Sequence, residues 1–420
     1  MSISPAAGGR IIMNILESAI AIQDQIKEYR HHIHRNPEIG FYLPKTAAYV
    51  QEKLAEMGIE SQLCGGPIDD KVRQKFVAAG FPDMAESTGV VATIGHGEPC
   101  FMLRADMDAL PMAETPDLVD FTSEIPGVAH MCGHDAHTAM LLGAAKLLKE
   151  RENELKGTVK LMFQTGEEFG CGSRLMIEHG LLENPKVDAA FAIHVMSEQE
   201  LGTVGFTPGI TSAAMDTFMV KIKGRGGHSS TPHLCIDPLM IANQLYTTLN
   251  LLPGREIDPR ETIALTSGRA GGGTAVNIIP DEAEVMVAAR TFNREVTHHI
   301  VERIPEIVDH TVKMWRGSYD MIDFHTPSTY NDEALCDELR PSIEEVMGKD
   351  KVYVAPCMAG TEDFGYVGEE IPAMYATLGV GGKGAAPMHN PSMFVDESML
   401  AYGTALHVTV AVNWLENHSK

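Results

Sequence analysis

The stretch His-Met-Cys-Gly-His-Asp-Ala-His at 130–137 stands directly before an apolar segment, 138–149, that carries small residues and leucines at helical spacing. The segment is predicted to form a helix, with Cys132 and His134 on tight backbone just before it. A thiol, three imidazoles and a carboxylate next to a rigid element are typical of a metal site. A buried cysteine and a helix capped by Asp135 would explain the same residues, so other parts of the chain must decide.

Length and composition indicate a folded protein of two domains. A chain of 420 residues is too long for one ordinary core. Hydrophobic residues make up 44% and charged residues 21%, as in globular proteins. Fifty-seven acidic against thirty-three basic side chains give a net charge of −24, which repels phosphate backbones and anionic membranes. We therefore expect neither nucleic acid nor a membrane as a partner, whereas a pocket with local Arg and His could still bind an anionic small substrate.

Cysteine usage and the N-terminal sequence indicate a cytoplasmic protein. The seven cysteines are scattered without a paired framework, which favours free thiols in a reducing compartment. The apolar segment 11–16 is followed by acidic residues at helical spacing and by no cleavage site, so it does not predict a signal peptide. No apolar run is long enough to span a bilayer.

Strands that alternate with helices predict an α/β sheet. Strands are expected over 88–94, 100–104, 158–163 and 187–194, and polar residues gather where these strands end, so the site should lie at the carboxyl edge of the sheet. Helices are expected over 15–30 and 46–57, and a charged surface helix over 69–79. His31, His32 and His34 are interpreted as residues at a helix end that Pro37 enforces, and not as ligands.

The pattern changes after 202–204. Strand 215–223, helix 237–252, strands 261–268 and 282–290, helix 295–315 and strand 318–324 form a βαββαβ series, which predicts a ferredoxin-like unit. The α/β pattern then returns with helix 332–347, strand 373–378 and a final helix from 396. We therefore expect a catalytic domain built from 13–208 and 326–420, with a lid or dimerisation domain, 209–325, inserted in it.

Adjacent carboxylates and two further histidines extend the candidate site. Glu167 and Glu168 follow a buried apolar strand, and such a pair can divide its work between binding a metal and moving a proton. A solvated charged turn is the alternative, although the flexible Gly-Cys-Gly at 170–172 favours a site. His194 ends its strand and His389 lies in a loop after a glycine-rich segment, so each could be an ordinary histidine or a ligand.

Taken together, five side chains of suitable type are expected at one edge of one sheet: Cys132, His134, Glu168, His194 and His389. Two metal ions could share them if the cysteine bridges. A paired site of this kind polarises a carbonyl and holds a hydroxide, because the pKa of a metal-bound water falls to roughly 7.

Several different motifs follow one another along the chain, at 104–111 (Arg-Ala-Asp-Met-Asp-Ala-Leu-Pro), 130–137, 167–168, 227–233, 277–280, 361–364 and 389–391. They resemble the metallopeptidase family of aminoacylases, hippurate hydrolases, plant auxin-conjugate amidohydrolases and related carboxypeptidases. The resemblance covers the chain from His34 to its end. The resemblance is to the auxin-conjugate and hippurate branch in particular, because Arg104 stands where other branches carry a metal-binding histidine. In that branch Cys132 replaces the usual bridging aspartate.

The resemblance implies a fold, a metal centre and catalytic roles. The fold would be a mixed-sheet catalytic domain of the aminopeptidase and carboxypeptidase type with the ferredoxin-like lid inserted. The five residues above would hold two divalent ions, Zn²⁺ or Mn²⁺, with Co²⁺ as a substitute in vitro. Glu167 would be the general base and then the acid, and Asp106 would orient a ligand imidazole.

The lid would complete the site. The resemblance implies that His228 stabilises the developing oxyanion and that Asn277 and Arg290 lie near the substrate carboxylate. Arg290 also closes a predicted strand and could pair bidentately with a carboxylate, a surface salt bridge being the alternative. Since lids of this family commonly dimerise, a homodimer is expected, in which His228 can act across the interface.

The expected function is that of a metal-dependent amidohydrolase, which cleaves the amide of N-acyl amino acids or small peptide-like conjugates through a metal-bound hydroxide. One alternative makes Cys132 a nucleophile with His134 as its base. Another is a silent relative that binds a metabolite, whose signature would be lost ligands. The chain departs from the branch at 164–166 and at Met196-Ser197, where prolines are usual, and these departures bear on the acyl group and not on the metal site.

Overall fold

The computed structural model describes residues 15–116 and 118–419. The expected start of the catalytic domain at residue 13 lies outside these ranges. The helices are α1 (Gln23–Arg35), α2 (Pro44–Glu56), α3 (Asp70–Ala78), α4 (His134–Glu150), α5 (Gly172–Glu178), α6 (Pro238–Leu251), α7 (Pro253–Glu256), α8 (Arg294–Met314), α9 (Glu333–Met347), α10 (Gly365–Glu370) and α11 (Leu400–His418). None of the helices in the described ranges is both long enough and apolar enough to cross a membrane.

The strands in chain order are β1 (Ser61–Leu63), β2 (Gly66–Pro67), β3 (Glu86–Ser87), β4 (Val90–Gly95), β5 (Cys100–Asp106), β6 (Thr158–Gln164), β7 (Ala189–Glu200), β8 (Val204–Phe206), β9 (Gly209–Ile210), β10 (Ala214–Lys223), β11 (Gly227–His228), β12 (Ile263–Gly271), β13 (Ile278–Ile279), β14 (Glu282–Thr291), β15 (Ser318–Thr326), β16 (Tyr330–Asn331), β17 (Val352–Val354) and β18 (Ala373–Gly381). Most of them belong to one of two sheets.

The larger sheet has the order β1-β4-β6-β5-β7-β18-β8-β17. Its centre is parallel, because β5 pairs in parallel with β6 and β7, and β7 with β18, whereas β4 and β8 run antiparallel to their inner neighbours. Strand β5 is buried along its whole length, with Phe101 and Leu103 in one core cluster and Met102 in another. Burial on both faces explains the continuous apolar runs of the central strands. The predicted mixed α/β fold is confirmed.

The smaller sheet is antiparallel, with the order β12-β14-β10-β15, and α6 and α8 cover one of its faces. In β10, Phe218, Val220 and Ile222 point to these helices and form a core separate from that of the large sheet. The alternation follows from the two-residue period of a strand. This βαββαβ unit is the predicted ferredoxin-like lid; its boundaries at 209 and 325 stay a prediction.

The structure corrects several predicted boundaries. Helix α1 continues to Arg35, so histidines 31–34 lie within it and not after it. Helix α4 begins at His134, four residues earlier than predicted, and Asp135 caps nothing because its carboxylate accepts from Arg30. The helix predicted over 69–79 is present as α3, but its Phe76 is buried against neighbouring elements and is not at a free surface.

Candidate metal centre

The candidate residues meet where β5 and β6 end and α4 begins, beside the middle of β7. The prediction that His194 ends its strand is wrong, because β7 continues to Glu200. Gly133 makes the turn into α4 with φ +90°, and a Cβ there would lie 2.3 Å from Cγ2 of Val195. Only glycine tolerates both conditions. Its absent side chain lets β7 approach the start of α4, which places His134 beside His194.

Two groups of ligating atoms share Cys132. The first consists of Cys132, His134 and His194, the second of Cys132, Glu168 and His389, and within each group the atoms lie within 4.8 Å of one another. The thiol sulfur is 3.5 Å from His194 Nε2, and Glu168 Oε1 is 3.2 Å from His389 Nε2. The structure therefore brings all five predicted residues together, with the cysteine where a bridging ligand would stand.

The imidazoles of His134 and His194 are fixed in one tautomer. His134 Nδ1 lies 2.8 Å from the carbonyl oxygen of Asp108, and His194 Nδ1 lies 2.7 Å from that of Val195. A carbonyl can only accept, so each Nδ1 carries the proton and donates it. In the neutral imidazole each Nε2 then keeps a lone pair beside the cluster, the arrangement that metal-binding histidines use.

His389 sits on strained backbone. Its φ is +60°, in the left-handed region that non-glycine residues seldom occupy. Its backbone N–H donates to the carbonyl of Met131 at 2.8 Å, which holds the loop against the 130–137 segment. Strain of this kind concentrates at functional sites, and here it brings the imidazole to Glu168.

The charges of the site call for a cation. Burial raises the pKa of Glu167 well above its usual range, and the carboxylates of Glu362 and Glu168 raise it further. Burial likewise raises the pKa of the Cys132 thiol, with Glu168 and Glu167 adding to the shift. Burial lowers the pKa of His134, but the carboxylates of Asp106 and Asp108 outweigh it and raise the pKa to about 10.

Two buried atoms of the cluster lack hydrogen bonds. Within the described residues, His134 Nε2 and Glu168 Oε1 have no hydrogen-bond partner, since the 3.2 Å contact of Glu168 Oε1 with His389 Nε2 lacks hydrogen-bond geometry. Buried polar atoms are rarely left in that state, and ligation by a metal would satisfy both. The donor set of sulfur, nitrogen and carboxylate oxygen also suits borderline divalent ions, so the residues present fit a pair of such ions.

Asp106 lies behind the cluster. Its Oδ1 accepts from His137 Nδ1 at 2.6 Å, and Oδ2 is 2.7 Å from a guanidinium nitrogen of Arg104. His137 Nε2 in turn accepts the N–H of Val195 at 2.8 Å, next to His194. Asp106 thus orients the imidazole of His137, while His134 Nε2 lies 3.7 Å away without a hydrogen bond.

Sequence reasoning assigned no role to several residues that organise the site. The carboxylate of Asp108 accepts the backbone N–H groups of Glu167 and Glu168, each at 3.1 Å, and so fixes the turn that carries the pair. Buried Arg104 binds Glu362 at 2.7 Å, and Gln164 bridges Arg104 to Asp363. Most of these residues lie in the motifs at 104–111 and 361–364, and this was the feature of the sequence that could have pointed to them.

A cavity of about 650 Å³ opens over the cluster and reaches the lid. Arg290 lines it and donates to the carbonyl of Ala359 at 3.0 Å and to Thr361 Oγ1 at 2.8 Å. His228 and Asn277 do not line this cavity. Both are exposed: His228 ends β11 and Asn277 directly precedes β13, which pairs with β11 as a short ribbon. His228 Nδ1 accepts from the N–H of Ser230 at 3.1 Å.

A mixed α/β sheet with a five-ligand cluster at its carboxyl edge, together with a ferredoxin-like lid, defines a metallopeptidase-type hydrolase. The model of peptidase family M20/M25/M40 matches residues 102–413, and the chain belongs to this family. It is accordingly a hydrolase of amide bonds, and the resemblance inferred from its motifs is confirmed.

Individual relatives agree with this assignment. The chain is 36% identical to an IAA-amino acid hydrolase of Arabidopsis thaliana, covering 92% of this chain and 84% of that protein. It is 35% identical to an N-acetyl-L-cysteine deacetylase of Bacillus subtilis, covering 90% and 85%. A crystal structure of a dinuclear metal-binding M20 peptidase from Bacillus subtilis matches with a TM-score of 0.73 at 29% identity, over 94% of this chain and 99% of that one.

Proposed function

We propose that this protein hydrolyses the amide bond of N-acyl amino acids or small peptide-like conjugates with the help of two divalent metal ions. The observation that carries the proposal is the pair of ligand groups that share Cys132, set beside the carboxyl of Glu167 in one cleft. The relatives named above act on small amino-acid conjugates, which supports a substrate of that size.

The metal ions would be held by the five residues of the two groups. Zn²⁺ or Mn²⁺ suits the mixture of thiolate, imidazole and carboxylate. When bound, such ions polarise a substrate carbonyl and make water more acidic.

Glu167 is the proposed proton carrier. Its side chain is 10% exposed where it lines the cleft, and its pKa is raised by burial and by the neighbouring carboxylates. A carboxyl with a raised pKa can take a proton from the attacking water and return it to the leaving amine. Asp108 supports this role, since it holds the backbone of the Glu pair in place.

The lid residues bind the rest of the substrate. Arg290 lies in the cleft, and within the described residues no carboxylate forms a salt bridge with it, so its guanidinium suits a substrate carboxylate. His228 and Asn277 lie away from the cleft of their own chain, which supports their action across a lid-to-lid homodimer. The exposed apolar side chains of Val276 and Ile278 on the same ribbon favour such an interface.

We further propose a cytoplasmic location. All seven cysteines are free thiols in the structure, and Cys132 must stay reduced to serve as a ligand.

Sedimentation of the purified protein would measure the oligomeric state, and a monomer at micromolar concentration would exclude the proposed action of His228 in trans.

The test combines metal analysis with hydrolysis of an N-acyl amino acid panel. We expect two metal ions per chain, activity that a chelator removes, and a loss of about 10²–10⁴-fold in kcat for Glu167→Gln with metal content unchanged. Glu150→Gln, an exposed change at the end of α4, is the matched control. Full activity of Glu167→Gln would refute the mechanism.

The same experiment separates the alternatives. A thiol amidase would resist the chelator and lose activity to a thiol alkylator after metal removal. Burial and the carboxylates of Glu168 and Glu167 raise the pKa of the Cys132 thiol, which disfavours a reactive thiolate. A silent metabolite-binding relative would bind metal stoichiometrically and hydrolyse no member of the panel.

A further inference from the structure

An aromatic wall connects the Glu pair, α3 and the lid. Phe169 directly follows Glu168, and its ring centroid lies 4.6 Å from that of Phe81, just after α3. Phe76 on α3 is 4.9 Å from Phe324 on strand β15 of the lid. All four rings line the cleft over the candidate metal centre. The cleft therefore has an aromatic wall that begins directly beside the Glu pair.

The apolar cleft continues into a second cavity. A space of about 610 Å³ lies over the lid sheet, and Met219 on β10 lines both this space and the cleft. Met215, Thr217 and Met219 share one face of β10 because alternate residues of a strand point the same way. Met286 and Ile322, which pair with Met219 from the two neighbouring strands, extend this surface. The two cavities thus adjoin at Met219, and α3 contributes Ala78 to the second cavity and Phe76 to the cleft. Together they are called the groove.

The far end of the groove is polar. Lys221 forms a salt bridge with Glu282 at 2.8 Å, and Asp320 lines the same end. From Met215 to Met219 the strand advances about 13 Å, a length that an extended chain of about ten carbons would fill. The groove therefore has the shape and polarity of a site for a long apolar chain whose end stops near water.

Helix α3 is fastened to the lid. Lys75 Nζ donates to Asp323 Oδ1 at 2.8 Å and to the carbonyl of the same residue at 3.3 Å. The buried ring of Phe76 packs beside this contact. The charged segment 69–79 thus has a defined place as one wall of the groove.

We propose that this groove binds the acyl group of the substrate and that α3 and the lid sheet select long, unbranched apolar acyl chains over acetyl. The inference rests on the amidohydrolase function proposed above. Burial of apolar surface supplies the selectivity. Each methylene that the groove removes from water should raise kcat/KM by up to about fourfold.

The test compares three amides of one amino acid, carrying acetyl, hexanoyl and decanoyl groups, with the metal-loaded enzyme. We expect kcat/KM to rise with chain length and to be at least about a hundredfold higher for decanoyl than for acetyl. Phe81→Ala and Met219→Ala should each lower kcat/KM for decanoyl by about tenfold and leave acetyl within about twofold. Val77→Ala, an exposed change on α3 outside both cavities, is the matched control and should change neither value.

The possible failures are distinct. Active enzyme with equal or higher kcat/KM for acetyl would overturn the acyl inference and leave the proposed function intact. An equal loss on all three amides in both Phe81→Ala and Met219→Ala would also overturn it, since the groove would then not discriminate by length. No hydrolysis of any amide by metal-loaded enzyme would overturn the proposed function and this inference together.

Discussion

Replacing His34 by Gln should destabilise the protein strongly at about pH 6 and far less above about pH 9. His34 is buried on α1, where Nδ1 lies 2.9 Å from Asp135 Oδ2 and Nε2 lies 3.0 Å from Glu114 Oε2. Burial lowers the pKa of the imidazole, but the two carboxylates outweigh burial and raise the pKa to about 9. Both ring nitrogens are thus placed to donate, which favours the charged form.

The magnitude follows from the difference between the folded and unfolded states. An unperturbed histidine has a pKa of about 6.5, and each unit of difference corresponds to about 1.4 kcal/mol, so His34 contributes about 3 kcal/mol. Because the pKa is higher in the folded state, this contribution is fully present below about pH 6.5 and is lost as the pH rises through about 9. The Arg30–Asp135 pair, at 2.9 Å, is present in both proteins and cancels in the comparison.

The assay is urea unfolding of the wild type and of His34→Gln at both ends of this pH range. Metal is removed first, because metal affinity is itself pH-dependent. The destabilisation caused by the substitution should be larger by about 3 kcal/mol at the lower pH. His310→Gln is the control, since that exposed imidazole donates to the carbonyl of Glu306 at 2.9 Å. Equal destabilisation of His34→Gln at both pH values would refute the reasoning.

Three further predictions follow from the site. Arg104→Gln should destabilise the protein by about 3–5 kcal/mol in urea unfolding, because it leaves the buried carboxylates of Asp106 and Glu362 without their cation. Gly133→Ala should destabilise by at least about 1–3 kcal/mol in the same assay, because φ is +90° and the new Cβ meets β7. Cys132→Ser should lower the number of metal ions bound per chain. In the wild type, metal at a hundredfold excess over its Kd should raise the free energy of unfolding by about 2.7 kcal/mol, and Cys132→Ser should reduce this rise.

Each of these has a matched control. Arg174→Gln removes a half-exposed ion pair with Glu178 and should cost less than about 1 kcal/mol. Gly180→Ala has a similar φ of +86° but meets no atom within 4 Å, so it isolates the backbone strain from the collision. Cys357→Ser changes an exposed thiol and should leave metal binding intact. A substitution at the site that behaves like its control would contradict the corresponding prediction.

The lid and the central strands could be predicted because their patterns are local. Alternation in β10 and β14 reports one buried face, and the apolar run of β6 reports burial on both. The five candidate ligands could be gathered because parallel strands end at the same edge of a sheet. Element ends were less predictable, as α1 shows: polar histidines at 31–34 suggested an end, whereas partners elsewhere in the chain keep them in the helix.

The buried network around Arg104 could not be predicted from spacing. Its partners, Gln164, Glu362 and Asp363, lie up to 259 residues away in the chain, and nothing local marks them as neighbours. Charged residues are usually exposed, so propensity argues against their burial. Only the order of the motifs hinted that these segments meet. The pairing itself depends on the tertiary structure, where Arg104 is the cation that balances three acidic side chains.

The structure shows what surrounds the two departures from the auxin-conjugate and hippurate branch, at 164–166 and at Met196-Ser197. Gly166 has φ +66°, and a Cβ there would lie 2.2 Å from the ring of Phe41. That ring packs 5.1 Å from Phe76, so a residue other than glycine at 166 would push against the wall that α3 forms. Met196 lines the cleft over the candidate metal centre. Ser197 Oγ donates at 2.8 Å to the carbonyl of Ala386, which lies in the loop that carries His389. The first departure therefore borders the wall of the cleft through Phe41 and Phe76, whereas Met196 lines the cleft directly.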